Sequence, residues 1–297
     1  VAREETQKEG WLLLADSYSS RGGRPMVCGY ASVDGIPSVL RAWPLLLFVL
    51  WTTVTVVLPG SGEGGWQLSG LGTAVAVPEE RCTVERQAHL TYSEFMQHYA
   101  FVKPVILQGL TDNSRFRALC SRENLLASFG DNVVRLSTAN TYSYRKVDLP
   151  FQEYVEQLLH PQDPTSLGND TLYFFGDNNF TEWAPLFQHY SPPPFRLLGT
   201  TPAYSFGIAG AGSGVPFHWH GPGFSEVIYG RKRWFLYPPE KTPEFHPNKT
   251  TLAWLQEIYP SLAPSARPLE CTIQAGEVSG CTFPRALRIL TFLFSST

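Results

Sequence analysis

Along most of the chain the apolar residues fall in short runs broken by glycine and proline, and their spacing alternates between helical and strand-like periods. Thr91-Tyr-Ser-Glu94 has the arrangement of a capping box. Phe95 and Tyr99 follow one turn apart, so a short helix is predicted there. Lys103-Pro-Val-Ile-Leu-Gln-Gly109 is a β-branched run closed by glycine and reads as a strand. Residues 125–129 predict a second short helix ended at Gly130, and residues 132–137 a strand. Asp148 can cap a helix with Pro150 in its first turn. Phe151, Tyr154, Val155, Leu158 and Leu159 then form its apolar stripe as far as His160. Further strands are predicted at 171–175 and 204–209, and a helix at 250–259 stopped by Pro260.

Two strands carry the candidate chemistry. In Val215-Pro-Phe-His-Trp-His-Gly-Pro-Gly223, entered through the glycine-rich turn 210–214, alternation places His218 and His220 on one face and Phe217 and Trp219 on the other. In Tyr229-Gly-Arg-Lys-Arg-Trp-Phe-Leu-Tyr-Pro-Pro239, Lys232, Trp234 and Leu236 share one face, with Arg233, Phe235 and Tyr237 opposite. Phe217, Trp219 and Trp234 are expected in the core. Many strands between Gly/Pro turns, with a few helices ahead of them, predict a mainly β fold with helical decoration. The expected architecture is a cupin-like double-stranded β-helix, a jelly roll, spanning residues 81–297.

Composition narrows the class. The chain has 297 residues, 43% hydrophobic and 16% charged, which is the balance of a soluble globular protein. A net charge of −3 without any basic tract excludes a nucleic-acid partner. The first methionine is Met26, so residues 1–25 are expected to be untranslated sequence or a fragment extension. Residues 26–62 read as a leader: Arg41 precedes the uncharged run 42–58, and Pro59-Gly-Ser-Gly62 follows. That run is long for a cleaved signal peptide and short for a spanning helix, so a signal peptide and an uncleaved signal anchor both fit. The anchor would be the only membrane contact. Either reading puts the body of the protein in a lumen, behind a linker at 63–80.

Three sequons, at Asn169, Asn179 and Asn248, agree with a luminal glycoprotein. Cys82, Cys120, Cys271 and Cys281 lack zinc-type spacing. One disulfide, with Cys82–Cys120 the candidate pair, and buried free thiols are both open readings.

The Pro-Val-Ile-Leu-x-Gly opening, Gly230-Arg-Lys-Arg-Trp234 and Gly276-Glu-Val278 together resemble the Jumonji-C (JmjC) family of iron- and 2-oxoglutarate-dependent oxygenases, over roughly residues 80–278. The resemblance implies Fe(II) held by two histidines and a carboxylate, with 2-oxoglutarate beside it. On that pattern His218 stands at the first metal position, while His220 stands where the family has Asp or Glu. Lys232 matches the residue that pairs with the far carboxylate of 2-oxoglutarate, and Tyr173 resembles a position that helps to hold the same group. The distal histidine is missing: after Gly276-Glu-Val278 the chain runs on as Ser279-Gly-Cys-Thr-Phe-Pro-Arg-Ala-Leu-Arg-Ile-Leu-Thr-Phe-Leu-Phe294, and no histidine follows His246. The fold is therefore expected to be incomplete at its C-terminal strand, with residues 289–294 pairing as an edge.

These departures favour a luminal, non-catalytic or degenerate JmjC-type protein. It would act on protein partners as an interaction or regulatory module in the secretory pathway, in the endoplasmic reticulum lumen, and no residue is given a catalytic role. The alternative is an atypical Fe(II)/2-oxoglutarate oxygenase hydroxylating a protein side chain. The residues themselves leave two further readings open. His218, His220 and Glu226 approximate a cupin metal set, or the histidines are neutral, hydrogen-bonded interior residues. Lys232 has its own alternative as an interior lysine that snorkels to the barrel mouth.

Overall fold

The computed structural model describes residues 15–16, 64–66, 81–140, 145–176, 182–195, 204–220, 223–238, 240–281 and 287–294. All of them lie in one unit, formed by residues 1–20 and 62–297. The leader at 26–62, most of the linker, Tyr142, Tyr144 and Asn179 lie outside the described residues. No helix among the described residues is long and apolar enough to cross a membrane.

The strands are β1 (Ala15–Asp16), β2 (Glu85–Gln87), β3 (Val105–Leu107), β4 (Val133–Thr138), β5 (Lys146–Pro150), β6 (Leu172–Gly176), β7 (Tyr204–Ile208), β8 (Gly214–His220), β9 (Gly223–Glu226), β10 (Arg231–Tyr237), β11 (Leu269–Gln274), β12 (Val278–Cys281) and β13 (Leu287–Phe294). They form a nine-stranded sheet, ordered β2-β3-β12-β9-β1-β7-β6-β4-β5, and a four-stranded sheet, ordered β11-β10-β13-β8. Among the described residues, only β2 and β3 pair in parallel. The result is the expected mainly β, cupin-like design as two sheets, without a closed barrel among the described residues.

Three apolar layers follow from strand alternation. Between the sheets, Ile106, Tyr173 and Phe175 of the large sheet meet Val215, Trp234, Leu236, Cys271 and Ile273 of the small one. Behind the large sheet, Val105, Leu107, Leu136, Phe174, Phe206 and Phe224 pack against the helices. Behind the small sheet, Phe235 meets Leu252, Trp254 and Leu255 of a helix at Thr251–Glu257. β3 is buried at every position because Ile106 faces the middle layer while Val105 and Leu107 face the helical one.

The helices are brief. α1 (Tyr92–His98) starts at the predicted capping box, with Thr91 and Glu94 each satisfying the other's backbone N–H. α2 (Ser114–Leu119) is followed by α3 (Arg122–Phe129), capped by Ser121. α4 (Phe151–Glu153) widens into a π-helical turn at Tyr154–Leu158. α5 (Ala184–Phe187) comes next, and α6 is the Thr251–Glu257 helix, capped by Thr250.

Several expectations are corrected. Asp148 caps nothing: it lies inside β5, and its carboxylate accepts two 2.7 Å hydrogen bonds from Arg135 of β4, so cross-strand pairing takes the residue that a cap would need. The disulfide is Cys82–Cys271, not Cys82–Cys120. The segment before β2 runs against β11, where Thr83 N–H donates to the Glu270 carbonyl at 2.8 Å. Cys120 instead is a free thiol in the helical layer. Trp219 is 50% exposed rather than core, since it ends the outer face of β8 beyond the cover of α6, whereas Phe217 packs edge-on against Trp254. Finally, β13 is no edge. It pairs with β10 over residues 288–294 and with β8 over residues 287–292, and so lies inside the small sheet.

Candidate functional site: a buried lysine between the sheets

β10 sets the site. Its alternation holds as predicted: Trp234 and Leu236 enter the middle layer and Phe235 the layer under α6. Lys232 is only 1% exposed, which rules out snorkelling to solvent, and its ammonium lies 4.0 Å from the centroid of the Trp234 ring. Tyr173 of β6, also 1% exposed, reaches the same layer from the opposite sheet. The two residues expected at the 2-oxoglutarate position therefore line one interior.

His218 is half-buried near them. Its Nδ1 lies 2.9 Å from the Pro216 carbonyl, an acceptor, so Nδ1 carries the proton. Burial pushes the imidazole below its ordinary pKa. The Lys232 charge adds to this, against the opposing pull of the Pro216 carbonyl. His220 ends β8, in register with Leu287 of β13, as His218 is with Ile289.

Glu226 goes elsewhere. It is 2% exposed, and one carboxylate oxygen accepts hydrogen bonds from Asn113 Nδ2 at 2.9 Å and Tyr190 Oη at 2.8 Å. These partners belong to the helical side of the large sheet, where Phe224 stacks on Tyr190. Burial raises its pKa to about 7 despite both donors. Among the described residues, no group of three His, Cys, Asp or Glu side chains is assembled that could hold a metal ion.

Two sequons come together. Asn169 is exposed in a turn at Gly168–Asp170, and its N–H donates to Asn248 Oδ1 at 3.3 Å. Asn248 is half-buried, and its carbonyl accepts from Gly168 N–H at 2.9 Å.

Two polar atoms missed by the sequence reading point into the middle of the fold. Trp234 Nε1 and Ser225 Oγ are buried and have no hydrogen-bond partner among the described residues. Such a group costs roughly 1–3 kcal/mol, so its persistence marks a place for a ligand or water. Strand parity was the available signal: Trp234 shares the Lys232 face, and Ser225 alternates with the outward-packed Phe224 and Glu226. A buried ammonium and these groups fit an organic acid. The donor set fits a metal poorly, because the strand beside His218 and His220 is Leu-Arg-Ile-Leu-Thr-Phe-Leu-Phe and offers no ligand.

The two sheets form a mainly β, cupin-like scaffold with a buried lysine on β10 and a His-x-His sequence on β8. No family model matches the chain. It is 93% identical to JmjC domain-containing protein 8 of Rattus norvegicus over 234 residues, covering 78% of this chain and 87% of that one. It is 25% identical over 228 residues to the 2-oxoglutarate and iron-dependent oxygenase JMJD4 of Gallus gallus, covering 66% of this chain and 54% of the relative. Among solved structures, the ribosomal oxygenase YcfD of Escherichia coli, in complex with cobalt and 2-oxoglutarate, aligns with a TM-score of 0.33 and 17% identity. That alignment covers 71% of this chain and about half of YcfD, 53%. The chain belongs to the JmjC family, in the group of JmjC domain-containing protein 8.

Proposed function

We propose that this protein is a luminal JmjC-type binding module that keeps the acid pocket of its family and lacks the full iron site. One observation carries the reading: β13 lies against β8, with Ile289 opposite His218 and Leu287 opposite His220, and brings no metal-ligating residue to that side. Fe(II), when held by a full triad, would supply the oxidative chemistry of the family. Here Lys232 and Tyr173 would hold 2-oxoglutarate, and His218 keeps the family's first metal position. A regulatory role through protein partners, gated by occupancy of the pocket, is the function such a site supports.

The Cys82–Cys271 disulfide and the sequons at Asn169 and Asn248 support an oxidising compartment of the secretory pathway, the endoplasmic reticulum lumen being the one proposed. Non-reducing peptide mapping of protein isolated from cells tests this directly. A Cys82–Cys271 peptide pair and a glycan on Asn169 are expected, and wholly reduced, unmodified peptides would refute the assignment.

The second reading, an atypical oxygenase acting on a protein side chain, is favoured by His218, which stands at the family's first metal position and feels the charge of the buried Lys232. Conversion of 2-oxoglutarate to succinate, measured with Fe(II) and ascorbate, separates the two. We expect no turnover above that of His218→Ala. Turnover that disappears in His218→Ala would establish the oxygenase and overturn the binding module.

A further inference from the structure

We propose that a second site, a cavity of about 340 Å³ beside the π-helical turn, takes the C-terminal residue of a protein partner. Trp66, Arg122, Val155, Glu156, Leu159 and His160 line it, and none of them belongs to the layer between the sheets that holds Lys232. The proposal rests on the reading above only for there being a protein partner. Val155 and Glu156 come from the π-helical turn, which closes where the Leu159 N–H donates to the Tyr154 carbonyl at 2.9 Å. Such wide turns are rare and lie frequently at functional sites. The Tyr154 hydroxyl fixes this one to β7, donating to the Ile208 carbonyl at 2.6 Å.

Arg122 opens α3, and Trp66 comes from the segment expected to be a linker. That segment is pinned. Arg122 N–H donates to the Gly64 carbonyl at 2.8 Å, and the Trp66 indole N–H to the Cys120 carbonyl at 2.9 Å. Gly64 itself takes a φ of 56° against the Tyr229 ring, where a Cβ would stand 2.4 Å from the ring. Trp66 is therefore a fixed wall. Val155 is 4% and Leu159 7% exposed, whereas Glu156 and His160 are exposed, so the cavity has an apolar floor and a polar mouth. Arg122 is half-buried, and its guanidinium has no hydrogen-bond or ion-pair partner among the described residues. Glu156 is met by the Gln152 amide at 3.2 Å and not by Arg122. An unpaired guanidinium beside an apolar floor complements a carboxylate that sits next to an apolar side chain, and it can take the carboxylate by two parallel hydrogen bonds. A polypeptide ending in an apolar residue carries that combination at its last position. The N–H of the same residue can donate to Glu156, and the rest of the peptide leaves through the mouth. Because Glu156 lies in solvent, a full ammonium gains little from it, which favours a chain end over a free amino acid.

The test is fluorescence anisotropy of a fluorescein-labelled peptide, Gly-Ser-Gly-Leu, titrated with the full chain. The same peptide ending in an amide, and Gly-Ser-Gly-Asp, are the comparisons. The leucine acid is expected to bind at least tenfold more tightly than either, the effect of losing a charge-assisted hydrogen bond or the apolar contact. Arg122→Gln should remove the preference for acid over amide, and Arg122→Lys should keep part of it. Trp66→Phe should weaken the acid and the amide alike. Thermal melts check that the variants fold. Unlabelled free leucine should compete at least tenfold more weakly than the unlabelled peptide. Equal binding of acid and amide, or an acid preference that survives Arg122→Gln, overturns the role of Arg122. Free leucine competing as well as the peptide overturns the chain end and makes this an amino-acid site. A folded protein that binds none of the peptides overturns the proposal. The reading of the lysine interior is separate, since 2-oxoglutarate affinity should be the same in Arg122→Gln as in the native protein.

Discussion

Tyr190 donates a 2.8 Å hydrogen bond to Glu226 inside the apolar layer behind the large sheet, where the carboxylate is 2% exposed. Its pKa there is about 7 against an ordinary value of 4.5, because burial outweighs the two donors. The folded state therefore holds the proton more tightly than the unfolded chain. Stability from this group is fully present below pH 4.5 and is lost as pH rises through about 7, amounting to on the order of 3 kcal/mol. His218, with its lowered pKa, acts in the opposite sense, losing stability as the pH falls through the ordinary histidine range. Chemical denaturation of the native protein and Glu226→Gln across pH 4–8 isolates the carboxylate. The variant is expected to be the more stable at pH 8, with the difference vanishing near pH 4; a constant difference would refute the assignment.

The Cys82–Cys271 disulfide spans a sequence separation of 189 and ties the segment before β2 to β11. Cys82→Ala should lower stability by about 2–5 kcal/mol and make the melting temperature insensitive to dithiothreitol, which should destabilise the native protein by a similar amount. Thermal melts with and without reductant check both halves of this expectation.

Behind the small sheet, Arg233 and Glu270 form a 2.7 Å ion pair with both side chains at 0% exposure, and Tyr259 donates to the same carboxylate at 2.7 Å. Glu270→Ala leaves a guanidinium stranded and should cost about 3–5 kcal/mol. Tyr259→Phe removes one hydrogen bond, for about 1–2 kcal/mol. The double variant should lose less than the sum, because the tyrosine has no carboxylate left to meet. Urea denaturation of the three variants measures this coupling directly.

Gly210 precedes the histidine strand, and a Cβ added there would stand 1.8 Å from the His160 carbonyl oxygen. Backbone on both sides leaves little to yield. Gly210→Ala is expected to destabilise by about 2 kcal/mol or more and to weaken acid binding by displacing β8. Urea denaturation and a 2-oxoglutarate titration of the variant measure the two effects.

Much of this was legible in the sequence, for local reasons. The capping box at Thr91 needs only residues three apart, and it formed as read. The two faces of β10 follow from alternation alone, so Lys232 and Trp234 could be placed together before any partner was known. What could not be read depends on distant contacts. Asp148 has the chemistry of a cap, yet Arg135 on the neighbouring strand takes it. Cysteine pairing across 189 residues leaves no local trace. Glu226 follows the histidine strand closely in sequence, but lies on a new strand whose parity turns it away from the middle layer. Trp219 has the look of a core residue, and only the extent of α6 decides that it is exposed.

The position of β13 between β8 and β10 also orders the protein's birth. As the chain emerges from the ribosome, β8, β10 and β11 are all made before the strand that joins the first of them to the other two. Until residues 287–294 appear, β8 has no neighbour in its sheet and β10 has only β11. A polypeptide stalled before that point would present open edges on β8 and β10 at once. Nascent chains interrupted there should be held by chaperones until residues 287–294 have been threaded in between β8 and β10.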